Sequence, residues 1–317
     1  MDCLTSLPEA HPEVRNAIRN FMGQCGRPIT YKYPFGNPVS IEETHIPILE
    51  ACEYLLADKS DGVRVCVILC QNDDASAFYC GLLDRKGKVY GLSVKADAVF
   101  YQGTAMDAEL VKRKDGSYSI LAFDTCVIAG NKEVEYMSLP NRLELCKVTT
   151  DSTVIVTNNI TLETKPMFSL GNDSELAAFA AHITALQYET DGYILTPMRE
   201  GTCQPGIAPL VFKIKDAHTI DFVWSGHMLW YGDLKDMYPI TNLGVNFNEN
   251  ELIEIPSGSV VEMAPEREKT GNVAMFHLLQ VRHDKDTANN FFTVSRTMQS
   301  IKDAITLDRV LKIVRVR

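Results

Sequence analysis

The sequence predicts an α+β protein with antiparallel sheets in its larger part and a small β-barrel as a second domain. Three observations predict this. Apolar runs of strand length ("VRVCVIL", "AFYCGLLD", "KVYGLSV", "DAELVKR", "YSILAFD") crowd the stretch from Val63 to Asp124, separated by turns such as "RKGK" and "KDGS". Helical spacing is confined to a few segments. Beyond Lys215 short strands return at "TIDFVW", "HMLWYG", "SVVEMA" and "AMFHLLQVR", which suits a five-stranded barrel.

Taken in order, "HPEVRNAIRNFMGQ" (His11 to Gln24) has its apolar residues at helical spacing, and "IPILEACEYL" (Ile46 to Leu55) reads as a second helix. "LPNRLELCKV" is helical. "DSELAAFAAHITALQ" is the clearest helix, with an Asp173/Ser174 cap. Strands follow at "GYILTP" and "LVFKIK", and the tail from Thr293 to Ile313 is helical. The polar break "KDAH" near Asp216 marks the domain boundary.

Composition narrows the class. Of 317 residues, 45% are apolar and 23% charged, which is ordinary for a globular chain with a core. No apolar stretch approaches the roughly 18 residues of a membrane span. The start "MDCLTSLPEAHPEVR" places acids where a signal peptide carries basic residues, so an intracellular protein is expected. Nine cysteines without a CxxC pair or zinc spacing read as reduced thiols. A net charge of -10 argues against a grip on long nucleic acid and for, at most, a short piece in a locally basic cleft.

One stretch resists a purely structural reading. "YLLADKSDGVRVCVIL" sets Lys59 inside an apolar run. Burying an amine costs desolvation energy. Either Lys59 turns outward in a strand-turn-strand, or a site requires an amine there. "KSDGVR" gives the pattern KxDG followed by Arg64. Further along come Glu109 in "MDAEL", Phe123 and Asp124 in "ILAFDTCVIAG", and Asp191 and Gly192 in "ETDGYILTP". Lys213 and Lys215 alternate onto one face in "VFKIK", and "VRHDK" carries Arg282, Asp284 and Lys285. Each match is weak alone; six in order are a strong signal.

This series resembles the covalent nucleotidyltransferases, the superfamily of mRNA capping guanylyltransferases and polynucleotide ligases. Within it the chain most resembles the capping enzymes, in particular their compact viral form. "GNPVSIE", "VFKIKDAHTIDFV" and "RHDKDTANNFFTVSRTMQSIKDAITLDRVL" extend the likeness from about Asn37 to Leu311. The resemblance implies a ligase-type (ATP-grasp-like) nucleotidyltransferase domain at 1–216 and an OB-fold domain at 217–303. A last helix, within 304–317, should return to the first domain.

It also implies a reaction. Lys59 would attack the α-phosphorus of GTP, with Mg2+ or Mn2+ present, and pass GMP to the 5′-diphosphate end of RNA as a GpppN cap. A free lysine, with a pKa of about 10.4, is mostly protonated at pH 7. Lys213 and Lys215 on a facing strand, with the metal, would favour the free amine. They would also hold the α-phosphate, and Gly62 would let the chain turn beside the nucleotide.

Other roles carry over residue by residue. Arg64 and Glu109 would contact the ribose or its phosphate. Arg85 would be a second ribose-side arginine or a solvated turn cation. Phe123 would stack on guanine or be a core aromatic. Lys165 in "ETKPMFSL" would meet the guanine carbonyl or lie on the surface. Asp191 would position the metal or the amine. Arg282 and Lys285, assisted by Asp284, would reach the β- and γ-phosphates or form a surface ion cluster. Ala108 departs from the family's usual glycine, and its methyl is expected near the ribose.

An RNA triphosphatase and a cap methyltransferase would be separate partners, with no membrane involved, and the setting would be the nucleus or a viral replication site. The alternatives are an ATP-dependent DNA or RNA ligase forming lysine–AMP, and a catalytically idle scaffold. The ligase would take label from ATP; the scaffold has no physical need for all four lysines.

Overall fold

A computed structural model describes residue 4 and residues 7–29, 33–156, 159–199, 204–215, 217–233, 235–268 and 272–314. The contacts divide the chain into two units. The first holds residues 1–39, 48–213 and 313–317, and the second holds 40–47 and 214–312. The division falls at Lys213/Ile214; Asp216, the expected break, lies outside the described residues.

The first unit contains a five-stranded and a six-stranded sheet. The five-stranded sheet has the order β1 (Gly36–Ser40), β13 (Gly206–Lys215), β12 (Thr190–Pro197), β2 (Tyr54–Ser60), β11 (Phe168–Ser169). The six-stranded sheet has the order β10 (Ile160–Thr164), β8 (Tyr118–Val127), β7 (Thr104–Lys112), β3 (Val63–Gln71), β4 (Phe78–Asp84), β5 (Val89–Gly91). Its pairings are antiparallel except β10 with β8, which is parallel. A small pair joins β6 (Val94–Ala96) to β9 (Thr153–Ile155).

The run "VRVCVILC" lacks polar alternation because β3 is covered on both faces. Val65, Val67 and Leu69 pack with Leu82, Met106, Ala108 and Ile120. Cys66, Ile68 and Cys70 face the other way, against Ile18, Phe21 and Met22 of α1 (Pro12–Gln24). The buried cysteines serve as small apolar groups.

Two of the helices differ from expectation, one at its end and one at its start. The second, α2 (Ile46–Ala51), is short, because Tyr54 and Leu55 already belong to β2. After α3 (Leu139–Asp151), α4 (Asp173–Ala185) is capped one residue early: the Asn172 side chain accepts from the Ser174 and Glu175 N–H groups.

The second unit carries a six-stranded sheet, one strand more than the barrel expected. Its order is β16 (Asp236–Pro239), β15 (Leu229–Asp233), β14 (Ile220–Trp224), β18 (Val260–Arg267), β19 (Val273–Val281), β17 (Asn246–Phe247). Its core is Phe222, Trp224, Tyr231, Phe276 and neighbours. The helical tail breaks at Ala304, whose φ is 50°, into α5 (Phe291–Asp303) and α6 (Leu307–Val314). The expected returning helix is grouped with the second unit through Lys312. Residues 40–47 join this unit as well: Glu43 receives Arg309 at 2.6 Å, and its N–H donates to Asp303 at 2.8 Å.

Candidate active site

Lys59 is the penultimate residue of β2, one before Ser60 at its turn-ward end. The neighbouring β12 pairs with β2 as Tyr193↔Asp58 and Thr190↔Ser60, so Asp191 and Gly192 together face a single residue, Lys59. This is a β-bulge, a device that re-aims a side chain. Gly192 has φ 132°, a conformation other residues avoid. The bulge turns the Asp191 carboxylate onto Lys59, and the Lys59 Nζ donates to its Oδ1. Both side chains remain partly exposed, at 24% and 36%.

Gly62 follows in the turn, for a reason other than a special φ. A Cβ there would stand 2.5 Å from the Leu110 carbonyl oxygen, so the tight approach of β7 requires glycine. The turn leads into β3 and Arg64, which lies opposite Glu109 of β7.

Arg64 is heavily engaged. Its Nε donates to Asp107 at 3.0 Å, and its two terminal nitrogens donate to Asp107 (2.5 Å), the Gly36 carbonyl (2.8 Å) and Asn37 (3.3 Å). The guanidinium carbon lies 4.9 Å from the Tyr33 ring centroid and 5.7 Å from that of Phe123. Asn37 Oδ1 also receives exposed Arg85 at 3.2 Å, so one amide joins the two arginines. Tyr33 donates to Asp107 at 3.0 Å.

Glu109 is half-buried between cations. Burial pushes its carboxyl up to about 7, against the pull of Lys165, Arg64 and Lys59. Ala108, its neighbour, points to the opposite face and packs in the core with Val65 and Ala122. Strand alternation sends residues 108 and 109 to different faces, so the Ala108 methyl lies in the core and not beside the Glu109 carboxyl.

Phe123 is itself the extra residue of a bulge. β7 and β8 pair as Asp107↔Asp124 and then Ala108↔Ala122. Lys165 follows β10, and its N–H donates to the Ala122 carbonyl at 2.7 Å, next to Phe123. Its ammonium reaches back to β2, where it donates to Ser60 and to Asp58 at 3.0 Å. At 5% exposure it is no surface lysine. Burial lowers the Lys165 ammonium, with Asp58 opposing. Burial would raise the Asp58 carboxyl, but Lys165 and His182 outweigh it and hold it below its ordinary value. His182 (3.1 Å) and Tyr188 (3.3 Å) complete this cluster.

Lys213 and Lys215 alternate on β13 as expected. They are not on a facing strand: β13 is in the same sheet as β2, two strands away, with β12 and its Asp191 between.

The second unit holds its own cluster. Arg282 makes two 2.8 Å bonds to Asp284 and one of 3.2 Å to Asp221, and Lys285 also donates to Asp221. Asp221 is buried and further bonded to Asn289 at 3.3 Å. The three residues expected together are thus together, organised by a carboxylate not singled out from sequence.

Asn37, Asp58, Asp107 and Asp221, which bond the expected site residues here, were not singled out from sequence. For Asp58, Asp107 and Asp221 a signal exists: each is an acid inside an apolar strand run, where a charge needs a partner. Asn37 lay within the quoted "GNPVSIE".

Among the described residues no three His, Cys, Asp or Glu side chains are grouped to hold a metal. No helix among the described residues is long and apolar enough to cross a membrane.

Comparisons with known proteins follow the same division. Residues 4–217 match the family model "mRNA capping enzyme, catalytic domain", and residues 216–311 match "mRNA capping enzyme, C-terminal domain". The mRNA-capping enzyme subunit alpha of Schizosaccharomyces pombe is 27% identical over 332 residues, covering 88% of this chain and 79% of that protein. Among solved structures, a mycobacterial DNA ligase D complexed with ATP and MES is 14% identical with a TM-score of 0.45, covering 79% of this chain and 96% of that one. The ATP-dependent DNA ligase of bacteriophage T7 is 14% identical with a TM-score of 0.38, covering 78% and 98%. Two family models that meet at the boundary between the catalytic and the β-rich second part assign the chain: it belongs to the mRNA capping enzyme family.

Proposed function

We propose that this capping enzyme is a GTP:mRNA guanylyltransferase with Lys59 as its nucleophile. The Lys59 Nζ attacks the α-phosphorus of GTP. A P–N bond forms, the nitrogen gives up a proton to solvent, and the bond from that phosphorus to the pyrophosphate oxygen breaks. The β-phosphate oxygen of an RNA 5′-diphosphate end then attacks the same phosphorus. The P–N bond breaks, the amine regains its proton, and GpppN is released.

The observation that carries this reading is the bulge that aims Asp191 at the Lys59 amine. An amine held by one carboxylate has lost much of its rotational freedom before substrate arrives, which favours an in-line approach. Around it, Phe123 offers a ring face for the base, and Arg64, Arg85 and Glu109 offer polar contacts for the ribose side. Lys213 and Lys215 supply positive charge for the α-phosphate, and Arg282 and Lys285 for the β- and γ-phosphates. Mg2+ or Mn2+, held by Asp191 and the phosphates, would neutralise charge on the leaving pyrophosphate. The diphosphate acceptor comes from an RNA triphosphatase and the cap passes to a methyltransferase, both as separate partners. The workplace is the nucleus or a viral replication site.

The test is incubation with α-labelled GTP or ATP and divalent metal, followed by denaturing electrophoresis. Label from GTP should stay on the chain, be lost in mild acid and survive alkali, as a phosphoramidate does. Lys59→Ala and Lys59→Arg should abolish it, since arginine stays protonated. Label persisting on Lys59→Ala would sink the assignment. Equal labelling by ATP would replace it with the ligase reading.

A further inference from the structure

The bulge at Phe123 has two flanks, and each is held by a different device. A bulged residue lacks the paired ladder bonds of its neighbours, so its direction is set by those neighbours. On one side, Ala122 is fixed by its parallel partner Thr164 and by the Lys165 N–H. On the other side stands Asp124, gripped by Arg142 of α3. Arg142 Nε donates to Asp124 Oδ1 at 2.6 Å, and its NH2 donates to Oδ2 at 3.0 Å. A third bond, 2.6 Å long, runs from its NH1 to the Met137 carbonyl. The Thr125 N–H adds 2.7 Å to the same carboxylate. Arg142 is fully buried.

A buried arginine–carboxylate pair is a poor device for stability, because apolar residues of similar volume often serve as well or better. The local charges explain why this one matters for shape. Asp124 lies directly across from Asp107. Two buried carboxylates thus face each other on the strands that frame the bulge. Each has its own arginine in a two-pronged pair: Arg64 holds Asp107, and Arg142 holds Asp124. The Arg64 guanidinium also lies beside the Phe123 ring. With Arg142 gone, Asp124 would compete for Arg64 or turn away from Asp107, and either movement shifts the ring.

We propose that Arg142 is a positioning residue for the nucleotide base: its fork on Asp124 sets the bulge that presents Phe123. This rests on the reading of Phe123 as the ring on which the base stacks.

The experiment is a double-mutant cycle on the first half-reaction, reading the KM for GTP and the rate of lysine–GMP formation at saturating GTP. Asp124→Asn keeps the shape of the side chain and removes its charge; Arg142→Lys keeps the charge and removes the fork. Each should raise the KM on the order of 5- to 50-fold, within what one base–aromatic stack contributes, and change the saturated rate much less. In a Phe123→Ala background, neither should raise the KM further. Melting temperatures separate this from loss of fold, and two chemically different variants keep the cycle readable if one does not fold. An equal KM increase with and without Phe123 would overturn the proposal, making the pair merely structural. If Phe123→Ala raises the KM and both pair variants leave it unchanged, the proposal fails while the stacking reading stands. If Phe123→Ala itself leaves the KM unchanged, the stacking reading fails and takes the proposal with it.

Discussion

Asp191 meets Lys59 across a bulge in which Asp191 and Gly192 together oppose one residue of β2. The pair therefore depends on a backbone irregularity as much as on its charges. Asp191→Asn should leave the melting temperature within a few degrees, because a partly exposed ion pair contributes at most about 1 kcal/mol. The rate of lysine–GMP formation should fall on the order of 100-fold. Gly192→Ala should slow the same step and also cost about 1–3 kcal/mol of stability, since its φ of 132° strains any Cβ. Stopped-time labelling with denaturant melts checks both; an Asp191→Asn enzyme of normal rate would contradict the role.

Lys165 is tied to buried Asp58, which adds a stability consequence to its proposed part in base choice. A lysine ammonium only donates, so it rewards the guanine carbonyl and meets a like donor in the adenine amino group. Lys165→Ala should lower the ratio of kcat/KM for GTP over ATP. It should also destabilise the fold by about 3–5 kcal/mol, the range for leaving a buried charge unpaired. His182 and Tyr188 move the value toward the lower end. The ratio is independent of the folded fraction, so the two effects can be read apart. An unchanged ratio would mean that another group reads the base.

Arg282 and Lys285 share Asp221. If their task is the leaving pyrophosphate, Arg282→Ala should block the first half-reaction. Transfer from pre-formed enzyme–GMP to RNA, which involves no pyrophosphate, should suffer far less. Equal losses in both half-reactions would speak against the assignment. Asp221→Asn should mimic the first loss more weakly, because both cations lose their common anchor.

Glu109 gives the chain a pH signature. Its carboxyl is pushed up to about 7 by burial, above its ordinary value of 4.5. The folded state thus holds the proton more tightly than the unfolded chain. The stability this contributes is fully present below about 4.5 and is lost as pH rises through about 7. Glu109→Gln should flatten this part of the profile, raising stability at pH 8 relative to wild type while changing little at pH 4. Melting temperatures across pH 4–8 measure it. A Glu109→Gln profile parallel to wild type would rule the titration out.

Much of the architecture was legible because its causes are local. The strands from Val63 to Asp124 and α1 and α4 follow from apolar runs, turn residues and helical spacing, which act over a few residues. The elements that were misjudged are those decided at long range. Tyr54 and Leu55 look helical beside "IPILEA", yet pairing with β12 and β11 draws them into β2. The strand β17 has two residues and exists only because β19 lies beside it.

The sequence by itself pointed to the reaction class, because Lys59, Glu109, Asp191, Lys213 and Arg282 stand in an order that resembles the motifs of the capping enzymes. It also determined that Lys59 is unusual, since an amine in an apolar run calls for a partner. Only the tertiary structure decided which partner. Asp191 is 132 residues away and arrives by a bulge. Ala108 faces the core rather than the side of Glu109, and Lys165 is buried against Asp58 rather than exposed. Strand register and bulge position set these outcomes, and both come from packing between segments far apart in the chain. A one-residue shift in either would exchange the face that each side chain presents.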